Sequence, residues 1–247
     1  IQAVRIAEDN RVRLPVMVCF DGFIISHGIE RVEVLDDEAV QKFVGEYEPL
    51  VNMLDLEKPI TVGPFDGLHG YFFEFKRAQE QATLDSATVI AEVGQEYGKL
   101  SGRSYGLVEK YQVDDADIAL VVIGSTAGTA KVVVDSLREQ GLKVGILKIR
   151  AFRPFPVKEV VQVLSKVKAV GVMDRALSPG IEGGPLYHEV RSVLYDIKER
   201  PLVASFIYGL GGRDVRPEHI EQAFSQLNKA AQTGQLTKAV SYLGLKE

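Results

Sequence analysis

The chain has 247 residues, of which 46% are hydrophobic and 26% are charged, with a formal net charge of -5. These fractions predict folded globular structure, in one large domain or two small ones. The negative charge and the absence of a basic tract argue against nucleic acid as the main partner. No apolar run reaches transmembrane length. A single cysteine, Cys19, cannot by itself form a zinc site, a disulfide or an iron–sulfur cluster, and it favours a reducing, cytoplasmic setting.

The N-terminal part begins with a polar segment and then an apolar run, residues 14–20, which predicts a buried strand. The strand has no visible partner, so we interpret the chain as the back part of a longer subunit. Asp21 is expected to be a turn residue after this strand. His27 follows at the predicted strand end, where it either caps and packs or contacts a ligand.

Little regular periodicity follows over residues 29–70, where prolines and glycines punctuate a long connection. Residues 31–35 could form a short strand and residues 36–43 a short helix. The connection is too rich in apolar and aromatic residues for a free coil, so we expect an ordered arm that packs on a neighbouring domain or subunit. Residues 76–100 predict a long helix, and residues 105–113 an extended approach to the next domain.

From residue 116 the pattern alternates between strands and helices with short connections, which predicts a parallel sheet with right-handed crossovers. The predicted strands are residues 118–123, 144–149, 169–173 and 202–208. The predicted helices are residues 129–140, 157–167, 185–197 and 217–231. The last two helices begin at proline, a residue favoured in the first helical turn.

Two loops at predicted strand ends could contact a ligand, the first of them through backbone amides at a helix start. Residues 124–128 precede a helix, but they lack the GxGxxG and Walker patterns, so a packing turn is the favoured interpretation. Asp174 and Arg175 open a glycine-rich loop that runs to Gly184. This loop either contacts a ligand or lets the backbone pack closely, and the sequence does not separate the two.

Two further loops carry arginines. Arg153 lies among prolines and Phe155, where it could bind a carboxylate or phosphate or form a salt bridge to a neighbouring subunit. Arg213 and Asp214 could pair and fix the last loop. No Ser-His-Asp arrangement and no metal-ligand spacing occur, so the residues alone indicate a scaffold without a self-contained active site.

A set of motifs in chain order nevertheless resembles one family. They are PVMVCFDGFIISH (15–27), GRSYGLVE (102–109), GSTAGTA (124–130), FRPFP (152–156), Asp174-Arg175 with GGPL (183–186), and GLGGRD (209–214). Together they span nearly the whole chain. The chain resembles the C-terminal portion of the alpha subunit of pyruvate:ferredoxin oxidoreductases, within the 2-oxoacid:ferredoxin oxidoreductase superfamily.

The resemblance implies an α/β fold: an open parallel-sheet domain of the transketolase C-terminal type, preceded by the end of a thiamine-pyrimidine-type α/β domain and a long linker arm. Residues 1–29 would be the tail of the domain that binds the pyrimidine of thiamine diphosphate. Residues 30–115 would form the linker arm and long helix, and residues 116–247 the transketolase C-terminal-like domain.

The resemblance also implies an enzyme subunit. The family decarboxylates a 2-oxoacid oxidatively to acyl-CoA, CO2 and reduced ferredoxin, with thiamine diphosphate, Mg²⁺ and iron–sulfur clusters. We expect none of these cofactors to be bound wholly by this chain, and no catalytic residue or metal ligand within it. Beta, gamma and delta subunits, ferredoxin and coenzyme A are the implied partners, without nucleic acid or membrane. An oxalate-oxidising relative and a non-catalytic assembly module are the alternatives.

Seven residues are left as candidates for an interface or an active-site rim, because they stand in the loops that carry the motifs. They are His27, Arg153, Phe155, Asp174, Arg175, Arg213 and Asp214.

Overall fold

The computed structural model describes residues 1–22, 24–63 and 67–246. By its internal contacts the chain divides into two units. The first consists of Ile1–Val18 and Arg31–Gly106, and the second of Cys19–Glu30 and Leu107–Glu247. Within the described residues, no helix combines the length and the apolar character needed to cross a membrane.

Three helices lie in the part of the first unit that the structure describes: α1 (Gln2–Glu8), α3 (Asp37–Val44) and α4 (Phe72–Ser101). Asp36 caps α3 by accepting a hydrogen bond from the amide of Ala39 at 3.2 Å, as a short polar side chain does at a helix start. The 30-residue α4 ends at Gly102 in the left-handed conformation. A small core joins α1 to the second half of α4 and consists of Ile6, Val12, Val89 and Val93.

The predicted strand over residues 14–20 is wrong. This stretch is irregular, and Met17 and Phe20 are 87% and 71% exposed. The short strand expected at residues 31–35 is also absent from the described structure. A strand is stable only when its backbone groups pair with a neighbour, and the described part of the first unit offers no strand to either segment.

The arm between α3 and α4 is irregular, and its apolar side chains are mostly exposed, with Leu56 at 93% and Leu68 at 101%. That it packs on a neighbouring domain or subunit stays a prediction. Phe23 and residues 64–66, which the sequence patterns included in these segments, lie outside the described residues.

The second unit is built on one six-stranded sheet with the order β1-β3-β2-β4-β5-β6. Its strands are β1 (Val108–Tyr111), β2 (Ile118–Ile123), β3 (Val144–Ile149), β4 (Ala169–Asp174), β5 (Leu202–Ile207) and β6 (Val240–Tyr242). All neighbouring pairs are parallel except β1 with β3. The predicted parallel α/β domain is therefore confirmed.

Helices cover both faces of the sheet, and the segment Cys19–Glu30 adds a short helix, α2 (Ile24–His27). The other helices of this unit are α5 (Thr126–Glu139), α6 (Val157–Leu164), α7 (Pro185–Leu194) and α8 (Pro217–Thr233). Leu120, Ile146 and Phe206 face one apolar layer with α5 and α8. Val121, Leu147 and Val172 face the other with α6 and α7, which explains why the central strands are apolar on both faces.

Candidate functional site

The loops that carry the motifs meet at the carboxyl edge of the sheet, where β2 and β4 lie side by side. From β2 the chain crosses to β3 on one side, and from β3 it returns to β4 on the other. Such a reversal of strand order leaves a crevice between the two loops, where open α/β sheets place their ligands. Gly124 and Ser125 follow β2 here, and Arg175 follows β4.

Asp21 occupies this crevice. Its Oδ2 accepts a hydrogen bond from the amide of Ser125 at 2.7 Å, and its Oδ1 lies 3.5 Å from Nη1 of Arg175. Burial acts to raise the pKa of Asp21, but the bonds from Ser125 and the charges of Arg175 and Lys148 outweigh it and hold the pKa below its ordinary value. Sequence reasoning treated Asp21 as a turn residue and missed this contact.

Gly124 is required where the carboxylate approaches. It has a φ of +73°, and a Cβ at this position would lie 2.8 Å from Oδ2 of Asp21. A side chain would be strained by the backbone and would collide with the carboxylate. The loop after β2 thus leaves space next to its backbone for a carboxylate oxygen, and in this structure that oxygen belongs to Asp21.

A buried pair of hydroxyls lies beneath the same edge. The hydroxyls of Thr126, at the start of α5, and Tyr208, at the end of β5, are 2.7 Å apart, and both residues are buried. The Arg175 guanidinium stands 5.4 Å from the centre of the Tyr208 ring. Burial raises the pKa of the Tyr208 hydroxyl, so it stays protonated. The signal for this pair in the sequence is weak, since it consists only of a tyrosine after an apolar strand.

Asp174 caps α7. Its side chain is 6% exposed, and its two oxygens accept hydrogen bonds from the amides of Leu186 and Tyr187 at 2.9 and 3.1 Å. Burial outweighs these bonds and raises the pKa of Asp174. A Cβ on Gly184 would lie 2.2 Å from Cγ of Asp174, so this glycine serves close backbone packing. Close backbone packing is therefore present at Gly184, and contact of this loop with a ligand stays a prediction.

Arg153 is fixed within the chain. Its Nη2 lies 2.5 Å from Oε1 of Glu189 on α7, and its Nη1 donates to the carbonyl of Phe152 at 2.8 Å. The guanidinium also stacks over the Phe152 ring, 4.5 Å from its centre. Phe155 meets Phe152 edge to face and packs on the apolar layer below α6 and α7. The loop therefore holds the Arg153 side chain in one orientation while leaving part of it exposed.

The last two loops hold the remaining candidates. Within the described residues, Arg213 forms no ion pair with Asp214; instead its Nη1 donates to the carbonyl of Gly244 at 2.5 Å, so the expected pairing is wrong. Asp214 is exposed. His27 lies on the exposed helix α2, not at a strand end, with Nδ1 2.8 Å from Oγ of Ser26. That the seven candidates line an interface or an active-site rim stays a prediction.

The described residues were compared with the chemistry of the cofactors that the resemblance implies. No group of three or more histidine, cysteine or acidic side chains among them could hold a metal ion. Cys19 is the single cysteine, too few for an iron–sulfur cluster. An open cleft of about 390 Å³ in the first unit is lined by two arginines and four carboxylates, an unfavourable balance for a diphosphate. Its charged lining residues are Arg5, Glu8, Asp9, Arg11, Glu46 and Glu48.

Two family models match the chain in succession. The model described as "Pyruvate flavodoxin/ferredoxin oxidoreductase, thiamine diP-bdg" matches residues 1–95, past the boundary at residue 29 that the motifs suggested. The model described as "Pyruvate:ferredoxin oxidoreductase core domain II" matches residues 116–220. Together the two matches cover both units of the chain.

Curated relatives agree with these matches. The pyruvate synthase subunit PorA of Thermotoga maritima is 49% identical over 247 residues, which is 100% of this chain and 62% of that protein. The ketoisovalerate oxidoreductase subunit VorA of Pyrococcus abyssi is 37% identical over 247 residues, again 100% of this chain and 62% of the relative. The chain thus spans about three fifths of the length of the curated relatives it matches.

A solved structure is also similar, a 2-oxoglutarate:ferredoxin oxidoreductase from Magnetococcus marinus with 2-oxoglutarate, coenzyme A and succinyl-CoA bound. It gives a TM-score of 0.43 at 21% identity, and the match covers 66% of this chain and 24% of that chain. On the two family models and the identity to PorA, the chain belongs to the pyruvate:ferredoxin oxidoreductase family and corresponds to its alpha subunit.

Proposed function

We propose that the chain is the scaffold and interface portion of the alpha subunit in a thiamine-dependent 2-oxoacid:ferredoxin oxidoreductase. The complex would convert pyruvate or a related 2-oxoacid, coenzyme A and oxidised ferredoxin into acyl-CoA, CO2 and reduced ferredoxin. The observation that carries the proposal is the 49% identity, along the whole chain, to a subunit named for pyruvate synthase.

The proposal assigns cofactor chemistry mostly to other parts of the complex. Thiamine diphosphate is supported by the description of the domain that matches residues 1–95. Mg²⁺ and the iron–sulfur clusters would be held by other parts of the complex, because one cysteine is too few to hold a cluster.

What the described residues contribute is a rigid frame with preorganised loops. Arg153 is held in one orientation by Glu189 and the Phe152 ring, yet 55% of its side chain is exposed. A cation that is fixed before binding loses little conformational entropy when it meets a carboxylate or phosphate. Arg153 and Phe155 are thus the best candidates in this unit for the interface with beta, gamma or delta subunits.

The substrate has a second candidate. The similarity to a ketoisovalerate oxidoreductase subunit, at 37% identity over the whole chain, favours a branched 2-oxoacid as the alternative to pyruvate. The higher identity to PorA places pyruvate first. We also propose a cytoplasmic location for the complex, because the low cysteine content suits a reducing compartment.

The experiment is a purification through a tag on the full-length protein, followed by an assay of the complex that comes with it. Dye reduction is measured with pyruvate, 2-ketoisovalerate or oxalate, each with and without coenzyme A. Reduction that needs both pyruvate and coenzyme A supports the proposal, and a preference for 2-ketoisovalerate supports the second candidate. Stable assembly without dye reduction on any of the three would contradict the enzyme and favour an assembly module.

A further inference from the structure

The crevice between the loops after β2 and β4 is filled by the chain itself. Asp21 reaches it from the segment Cys19–Glu30, which we call the strap. The residues before and after the strap belong to the first unit, whereas the strap belongs to the second. The strap is thus a twelve-residue segment between two stretches of the first unit.

The contact has the chemistry of carboxylate recognition. One oxygen of Asp21 accepts from the Ser125 amide at 2.7 Å, and the other faces the Arg175 guanidinium at 3.5 Å. Lys148 adds a further positive charge that favours the ionised carboxyl. A backbone amide and a guanidinium on two sides of a carboxylate supply charge-assisted hydrogen bonding, which is stronger than bonding between neutral groups.

The loop after β2 is also shaped for this occupant. Gly124 leaves room for the carboxylate, since a Cβ would lie 2.8 Å from Oδ2 and 3.2 Å from Oδ1 of Asp21. The Arg175 guanidinium also lies over the Tyr208 ring, 5.4 Å from its centre. The receiving groups therefore stand in the loops that directly follow β2 and β4.

We propose that this crevice is a carboxylate-binding site occupied in cis, and that Asp21 is a positioning residue that latches the strap to the sheet. The latch fixes the position of the strap at the sheet edge, next to the exposed Phe20. A small free carboxylate takes the place of the Asp21 side chain when that side chain is removed. The inference does not depend on the proposed enzyme activity.

The test is hydrogen exchange followed by mass spectrometry on the full-length protein in the form in which it purifies. Asp21→Ala is compared with Glu30→Ala, which removes the same charge from an exposed position of the same strap. Loss of a charge-assisted hydrogen bond predicts exchange about 5- to 30-fold faster at the start of α5 and along the strap in Asp21→Ala. Glu30→Ala is expected to match the unaltered protein.

Rescue distinguishes a carboxylate site from a general loosening. Formate should slow the exchange of Asp21→Ala towards the original rate, whereas chloride at the same ionic strength should not. Asp21→Asn loses the charge, so it should exchange faster than the original protein. It retains the shape of the side chain, which leaves no room for formate, so it should show no rescue. This variant carries the test if the alanine variant does not fold. Unchanged exchange in both Asp21 variants, or equal effects of formate and chloride, would overturn the proposal.

Discussion

Replacing Asp174 with alanine removes the carboxylate that accepts hydrogen bonds from the amides of Leu186 and Tyr187 at the start of α7. Loss of a side-chain cap destabilises a protein by about 0.5–2 kcal/mol. Each amide left buried without a partner costs about 1–3 kcal/mol. Removing the buried carboxylate offsets part of these two costs, because burial disfavours the charged form of Asp174. We expect a net loss of about 2–3 kcal/mol in the free energy of unfolding.

Urea unfolding of the full-length protein measures this loss. Asp174→Asn keeps one acceptor oxygen and should lose roughly half as much. Asp117→Ala, which breaks an exposed ion pair with Lys168 at 3.0 Å in the same unit, is the control and should lose at most about 1 kcal/mol. A free energy of unfolding for Asp174→Ala equal to that of the control would refute the view that Asp174 holds α7 in place.

The same carboxyl group predicts a pH dependence. Because burial raises the pKa of Asp174 above its ordinary value of 3.8, the folded state binds its proton more tightly than the unfolded state. The contribution of protonated Asp174 to the free energy of unfolding is therefore largest below pH 3.8, and it is lost as pH rises through the raised pKa of the folded state. Asp174→Asn should lack this fall, and an identical pH profile of unfolding in both proteins would contradict the argument.

Three further changes test the sheet edge. Tyr208→Phe leaves the Thr126 hydroxyl buried without its partner and should lower stability in urea by about 1–2 kcal/mol; no change would contradict the paired hydroxyls. Gly184→Ala collides with the capping carboxylate and should destabilise by about 1–3 kcal/mol, whereas Gly128→Ala, in a helix with open space, should not destabilise. Because the pKa of Asp21 is lowered in the folded state, its carboxylate stabilises the fold above pH 3.8, and this stability is lost as pH falls through the folded pKa. Asp21→Asn should lack this pH-dependent part of the free energy of unfolding, and parallel pH profiles of the two proteins would argue against the latch.

The central strands were predictable because burial on both faces leaves an unbroken apolar run. The patterns placed β2 and β3 at the residues where the structure has them, and β4 and β5 to within one residue. The edge strand β6 was missed, since its three residues are a strand only through their pairing with β5. Short edge strands depend on a neighbour that no local pattern reveals.

The failed strand at residues 14–20 has the same cause. An apolar run shows that a segment is suited to burial, but not that a partner is present, and Met17 is 87% exposed. In the candidate site, Arg175 was named from its loop, yet its partner Asp21 lies 154 residues earlier in the chain. Only the folded sheet edge brings such groups together, so sequence reasoning found the loops and not the contacts.

The central claim is that the chain is part of a 2-oxoacid:ferredoxin oxidoreductase. The most direct measurement is the initial rate of dye reduction by the complex that co-purifies with the full-length protein, with pyruvate in the presence and absence of coenzyme A. We predict reduction only when both are present. No reduction with pyruvate, 2-ketoisovalerate or oxalate, by a complex that is intact, would contradict the claim.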